Sequence, residues 1–356
     1  MRRDAFCLKI ININNMKLVK YSGNPIIAPN PANQWENLVT CNPGVIYSDG
    51  VFYMLYRAAG DDDNHVIRLG LAQSSDGLNF KRMSETPVFS PSVDGPDSGC
   101  VEDPRIIRLG EDFYVTYAYR PYSPGRYWTF PHDVVRLPEC GADAPKAWAS
   151  NLGNTGLALT RDFKYFRRLG RLTSPVLDDR DVILFPDKVG GKYVMLHRPK
   201  EYVGPEYGVE YPSIWMKFSD DILDWESKES HLLITGKKGT WEEKIGGSTP
   251  PILTEDGWLM IYHGVADGGK AAYQVGALLL DRENPLKVLA RTPEPILSPE
   301  EWYETEGLYS HCVFPTGNVV VDGIFYLYYG GADRYVGVAT CPLKDLLYYL
   351  KEECGI

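Results

Sequence analysis

The stretch "SGCVEDPRII", Ser98 to Ile107, sets two carboxylates, Glu102 and Asp103, directly before a proline and an arginine. Carboxyl groups can give or take the protons that bond cleavage requires when their surroundings tune them. Cationic and imidazole side chains recur elsewhere in the chain at one offset. Six and seven residues beyond a turn glycine stand Tyr56 and Arg57 after Gly50, His197 and Arg198 after Gly191, and His263 and Gly264 after Gly257. Tyr329 and Gly330 hold the same places after Gly323, and "YAYRP" supplies Tyr119 and Arg120 in the corresponding region of a further segment. Asn42 before Pro43, and Ser248 and Thr249 before Pro250, repeat the polar-then-proline pattern of the acid pair. A carboxylate facing Arg, His and Lys is a site for a polar substrate or an anion, because the guanidinium fork matches oxyanion geometry. Each residue alone has a plainer reading, a strand-end Arg as a brace and an Asp-Pro pair as turn chemistry. Their coincidence at one frame favours the site.

The elements that would position these residues form a repeat. Five segments share one formula, a proline-opened strand, a glycine-centred turn and an aromatic-rich strand: "NPGVIYSDGVFYMLYRA", "EDPRIIRLGEDFYVTYAY", "FPDKVGGKYVMLHRP", "PPILTEDGWLMIYHGV" and "FPTGNVVVDGIFYLYYGGAD". Turn chemistry makes each a β-hairpin. A second hairpin formula follows each first one, from "IRLGLAQSSDGLNF" to "RYVGVATCPLKDLLYYL". Two hairpins make a four-stranded sheet, and five sheets about an axis make a five-bladed β-propeller, an all-β fold. A two-sheet sandwich does not account for this period. The expectation is one catalytic domain over 1–356, with an N-terminal extension over 1–16 and a long loop over 121–151 in blade two. The tail "CPLKDLLYYLKEECGI" either forms a short helix or completes the last blade. Strand alternation should send Glu102 and Asp103 in different directions, so that they do not share a proton. Arg105 reads as an internal partner of Asp103.

A net charge of −10 argues against nucleic acid and anionic membrane as partners, since both call for clustered Lys and Arg. Seven cysteines, at 7, 41, 100, 140, 312, 341 and 354, are odd in number and lack CxxC spacing, so free thiols in a reducing compartment are expected. No apolar run reaches signal-peptide or membrane-spanning length, which makes the cytoplasm the expected location, with Met16 an alternative start. The acidic run before His65 reads as a solvated turn, and no metal or organic cofactor is expected. Self-association is left open.

In order along the chain, "NPG" at Asn42, "YRA" at Tyr56, "EDPRI" at Glu102, "DRDVILFP" at Asp179, "HRP" at His197, "WEEKIGGSTPPI" at Trp241, "YHGV" at Tyr262 and "YGGAD" at Tyr329 resemble the motifs of glycoside hydrolase family 130. That family comprises inverting β-mannoside phosphorylases and hydrolytic relatives, built as five-bladed propellers. The resemblance extends over nearly the whole chain from about Lys17. It implies that Asp103 is the general acid, its proton travelling through a sugar hydroxyl to the departing oxygen. It implies that Arg180, Arg198, Lys244 and His263 bind inorganic phosphate as co-substrate, and that Asn42, Arg57, Glu102, Tyr119 and Asp333 contact or brace a β-mannooligosaccharide. Between Trp241 and Lys244 this chain is one residue shorter than the phosphorylase pattern.

An inverting hydrolase would instead need a second carboxylate to activate water. Glu201, Glu242 and Glu243 stand near the matching motifs as candidate bases, so a β-mannosidase, of β-1,2 linkages foremost, is the alternative. A non-catalytic sugar-binding propeller would need aromatic platforms but no anion pocket. The loop aromatics Tyr122, Tyr127, Trp128, Phe130 and Trp148 suggest a lid or a sugar-stacking platform, against packing on their own blade or on another subunit.

Overall fold

In the computed structural model, which describes residues 16–129, 141, 143–144, 146–266 and 272–355, five antiparallel sheets succeed one another along the chain. Blade one is Val39–Ser48, Val51–Ala59, Arg68–Ser74 and Lys81–Arg82. Blade two is Cys100–Leu109, Asp112–Arg120, Asn154–Thr160 and Arg167–Arg171. Blade three is Asp179–Leu184, Tyr193–Pro199, Ile214–Ser219 and His231–Ile234. In blade four, Lys244–Gly247 and Ile252–Thr254 both pair with Gly257–Val265, followed by Tyr273–Leu280 and Val288–Arg291. Blade five is Val313–Val321, Ile324–Gly331 and Tyr335–Pro342. Neighbouring sheets adjoin, the fifth beside the first, which is the propeller that the repeat predicts.

The outermost strand of blade five comes from the other end of the chain: Val19 and Lys20 pair with Thr340 and Ala339. Met16 and Leu18 are buried with Ile296, Phe325 and Leu327. The C-terminal segment, freed from completing the blade, is the helix Leu343–Glu353, which buries Leu346, Tyr349 and Leu350 in the same core. Among the described residues no helix is long and apolar enough to cross a membrane, and the five described cysteines are free and buried.

One device recurs in four blades. Tyr56, Tyr117, Tyr262 and Tyr329 each lie across from a glycine on the next strand, Gly70, Gly156, Gly276 and Gly337. A Cβ on any of these glycines would meet the ring at 2.2–2.6 Å, so the tyrosine packs flat only because no side chain is there. Each hydroxyl then donates to a buried carboxylate: Glu36 at 2.9 Å, Asp97 at 3.2 Å, Glu242 at 2.5 Å and Glu304 at 2.7 Å. A cation from the blade's outermost strand completes each trio, namely Arg82, Arg168, Arg291 and Lys20. Removing one donor from such a buried carboxylate weakens folding while leaving the site intact. Tyr262→Phe should therefore cost about 1–3 kcal/mol in urea unfolding with kcat unchanged.

Blade three departs from this pattern. His197 takes the tyrosine's place opposite Trp215, with Nδ1 2.8 Å from Asp179 Oδ2 and Nε2 3.1 Å from Ser230 Oγ.

The innermost strands of blades one, two and three also share an irregularity. Register slips between Cys41 and Gly44, Glu102 and Arg105, and Arg180 and Ile183, so two residues oppose one in each case. The first extra residue is left-handed each time: Asn42 at φ 44°, Asp103 at 52° and Asp181 at 58°. Asn and Asp tolerate this region better than other side chains, and a bulge re-aims the residue that carries it.

Candidate active site

The bulge at Asp103 overturns the alternation expected of the acid pair. Glu102 and Asp103 do not diverge: Arg57 Nη1 lies 3.3 Å from Glu102 Oε2 and 3.4 Å from Asp103 Oδ1. The two carboxylates nonetheless differ in how readily they ionise. Burial works against ionisation of Glu102, but Arg57, Arg120 and Arg180 outweigh it and hold its carboxyl below the ordinary value. Burial raises Asp103 to about 6, and the Glu102 charge adds to this against Arg57, Arg105 and a hydrogen bond from Asn42. Asn42 Nδ2 donates to Asp103 Oδ1 at 2.8 Å. With Oδ1 occupied by Asn42 and Arg57, Oδ2 is the oxygen free to carry a transferable proton. A carboxyl that gains a proton near pH 6 beside one that stays ionised is the division of labour that an acid catalyst requires.

Asp103 opens into a cavity of about 310 Å³ lined by Arg57, Glu102, Arg120, Tyr127, Asn151, Arg180 and Asp333 among others. The loop of blade two closes one side. Arg57 Nη2 donates to the Tyr127 hydroxyl at 3.0 Å, and that hydroxyl donates to Asp333 Oδ2 at 3.3 Å, so one loop side chain ties blade one to blade five. Arg180 reaches this cavity while held by Asp178 through Nε at 2.8 Å and Nη2 at 3.0 Å. Lys200 reaches Asp178 from the other side at 2.9 Å.

A second cavity of about 160 Å³ is lined by Arg198, Lys244, Ile245, His263, Val265, Ala266, Tyr273 and Tyr309. Its basic groups gather about Asp181. Arg198 Nη2 lies 2.6 Å from Asp181 Oδ2, His263 Nε2 3.7 Å from the same oxygen, and Arg105 Nη2 3.3 Å from Oδ1. Burial pushes His263 down to about 3 despite the pull of Asp181, which makes it a neutral imidazole at ordinary pH. Its Nδ1 lies 3.2 Å from Ser248 Oγ.

The residues expected from the sequence are thus apportioned. Asp103, Arg57, Glu102 and Asp333 meet in the first cavity, and Arg198, Lys244 and His263 meet in the second, while Arg180 lines the first rather than the second. Asn42 is a correction: it is buried and holds Asp103 instead of lining a cavity. Tyr119 is another. It packs with Val101, Tyr117 and Phe89, because the residue of blade two equivalent to Tyr56 is Tyr117, opposite Gly156. Arg120, one residue on, is the side chain that reaches the cavity.

None of the three glutamates proposed as a base lines either cavity. Glu242 accepts from Tyr262 and Arg291 in the blade-four trio, Glu201 accepts the Asp178 N–H and pairs with Lys146, and Glu243 is buried. Among the loop aromatics, Tyr127 lines the site, Trp128 packs edge-on to His65, and Tyr122 packs edge-on to Trp148. Phe130 lies outside the described residues. Sequence reasoning passed over Asp178, Asp181 and Asn151. "DDRD" held a signal for the first two, since two acids flanking an arginine beside a basic cluster imply counter-charges.

Known proteins share this architecture. The model of glycoside hydrolase family 130, described as beta-1,4-mannooligosaccharide phosphorylase, matches residues 9–130 and 148–352. A 1,2-beta-oligomannan phosphorylase of Thermoanaerobacter sp. (strain X514) is 37% identical over 341 residues, spanning 94% of this chain and 100% of that protein. A beta-1,2-mannobiose phosphorylase of the same organism is 34% identical over 346 residues, spanning 93% and 99%. Among solved structures, the beta-1,2-mannobiose phosphorylase from Listeria innocua in complex with beta-1,2-mannobiose is similar at a TM-score of 0.74 and 25% identity, covering 95% of this chain and 100% of that one.

Proposed function

The chain belongs to glycoside hydrolase family 130, and from that membership we propose that it is an inverting β-mannoside phosphorylase, cleaving terminal β-mannosyl linkages of mannooligosaccharides with inorganic phosphate. The observation that carries this reading is the pairing of two neighbouring cavities of different character. One holds an acid raised to about 6 beside an ionised carboxylate, and the other is lined by Arg198, Lys244 and a neutral His263. A phosphate oxygen attacks C1 of the terminal mannosyl unit from the face opposite the leaving group. The C1–O bond breaks with its electron pair going to the leaving oxygen, which takes the proton of Asp103 Oδ2 through a sugar hydroxyl. Inversion converts the β-mannoside into α-mannose 1-phosphate. Arg57, Arg120, Asn151 and Asp333 line the cavity where sugar hydroxyls would be bound, and Tyr127 holds two of these groups in place.

The hydrolytic reading is not favoured. The relatives are named phosphorylases, Glu201 and Glu242 are engaged elsewhere, and Glu243 lines neither cavity. Incubation with β-1,2- and β-1,4-mannobiose, with and without phosphate, tests the reading by product identity. Mannose 1-phosphate should form only when phosphate is present. Release of free mannose at the same rate without phosphate would overturn it.

A further inference from the structure

Beside the second cavity, two buried polar atoms have no hydrogen-bond partner among the described residues: Arg198 Nε, a donor, and Asp181 Oδ2, an acceptor. Asp181 is only 5% exposed. Oδ2 is ion-paired with Arg198 Nη2 at 2.6 Å and lies 3.7 Å from His263 Nε2, yet it accepts a hydrogen bond from neither. The other oxygen, Oδ1, is held by Arg105 Nη2 at 3.3 Å, which fixes the carboxylate plane. Burial opposes its ionisation, but the guanidinium groups of Arg198, Arg105 and Arg180 prevail and keep this carboxyl well below the usual carboxylate range. Gly246 leaves room beside it, since a Cβ there would stand 2.6 Å from His263 Nε2 and 2.7 Å from Asp181 Oδ2. Buried polar atoms are ordinarily satisfied. A donor and an acceptor left open side by side fit a ligand that offers both senses of hydrogen bond.

We propose that Asp181 is the specificity-determining residue of the anion site, its Oδ2 accepting the P–OH hydrogen of hydrogen phosphate while Arg198 Nε donates to an unprotonated oxygen. This inference rests on reading the second cavity as the phosphate site. Hydrogen phosphate and hydrogen arsenate carry such a proton at neutral pH, and sulfate carries none. With its proton lodged against Asp181, hydrogen phosphate keeps three oxygens that share the charge, one of which attacks C1. Sulfate would place a bare oxygen against an ionised carboxylate, leaving two acceptors facing each other without a hydrogen between them. A site built to receive a hydroxyl rejects the analogue that lacks it far more strongly than a site selecting by size.

The test uses calorimetric titration of phosphate, arsenate and sulfate into the wild-type protein and into Asp181→Asn, with inhibition of phosphorolysis by sulfate as the kinetic counterpart. In the wild type, phosphate and arsenate should bind with dissociation constants within about tenfold of each other, and sulfate at least about 100-fold more weakly. In Asp181→Asn the ratio of sulfate to phosphate dissociation constants should fall at least about thirtyfold, with the KM for mannobiose within about threefold of the wild type. Wild-type binding of sulfate within threefold of phosphate overturns the proposal even if the variant fails to fold. An unchanged ratio in a folded variant overturns it equally. Titration needs no turnover. Phosphate bound and sulfate refused by a protein that makes no mannose 1-phosphate would therefore sink the phosphorylase reading and support the role of Asp181.

Discussion

Asp103→Asn should lower kcat for phosphorolysis by about 10³-fold, within the 10²–10⁴ range of a lost general acid, while the Tm stays close to that of the wild type. The amide keeps the shape of the side chain and an oxygen to accept the Asn42 N–H, so the bulge and its contacts survive while the transferable proton is lost. The same residue sets the pH profile. A general acid works in its protonated form, so with Asp103 raised to about 6, kcat/KM for mannobiose at saturating hydrogen phosphate dianion should be level below pH 6 and fall tenfold per unit above it. Glu102 contributes to that position, because its charge opposes the ionisation of Asp103 and its carboxylate competes for Arg57. In Glu102→Gln the repulsion disappears and Arg57 is left to Asp103, so the descending limb should move to lower pH by about one unit. A limb that stays in place would show that Asp103 is not the titrating acid. Normal turnover by Asp103→Asn would remove it from the chemistry.

Arg198→Ala should raise the KM for phosphate by about 100-fold or more and leave the KM for mannobiose within about threefold, because Arg198 lines the second cavity and not the first. The loss exceeds that of one hydrogen bond. Without Arg198, Asp181 keeps Arg105, the more distant Arg180 and a neutral His263, and an under-compensated carboxylate beside an anion site repels the dianion that must enter. Arg198→Lys retains the charge but not the planar fork, and should recover only part of the affinity. Equal rises in the two KM values would mean that the cavities are one site and that phosphate does not have its own pocket.

The architecture was legible because its signals are local. Each hairpin announces itself by turn glycines and aromatic strands, with Tyr56 and Tyr329 six residues beyond their turn glycines and Tyr262 five beyond its own. The acid was legible from its motif. What escaped depends on departures from regular pairing. A bulge places Asp103 and Asp181 off the period-two pattern, so alternation alone sent Glu102 and Asp103 apart when Arg57 in fact joins them. In blade two Tyr117 stands seven residues beyond Gly110, off the spacing of Tyr56 and Tyr329, so the sequence points to Tyr119 beside Arg120 while Tyr117 takes the place opposite Gly156. The tie from Tyr127 to Arg57 and Asp333 spans 70 and 206 residues of sequence, and no local pattern encodes a contact of that separation. A two-residue strand such as Val19–Lys20 is likewise too short to carry a period.

That short strand governs the order in which the molecule can be finished. Val19 waits for Thr340 and Lys20 for Ala339, so the first described residues to be synthesised meet their partners among the last. At 5–20 residues per second the interval is roughly 16–64 seconds. During that time Val19 and Lys20 have no blade to complete, and Met16 and Leu18 have no core to enter. Blades one to three take all their strands from contiguous sequence and can pair them as they emerge, although the core of blade one still waits for Tyr328 and Val338. A nascent chain therefore carries finished blades and an unsealed circle, and it gains its full cooperativity only in one closing event after Thr340 has emerged.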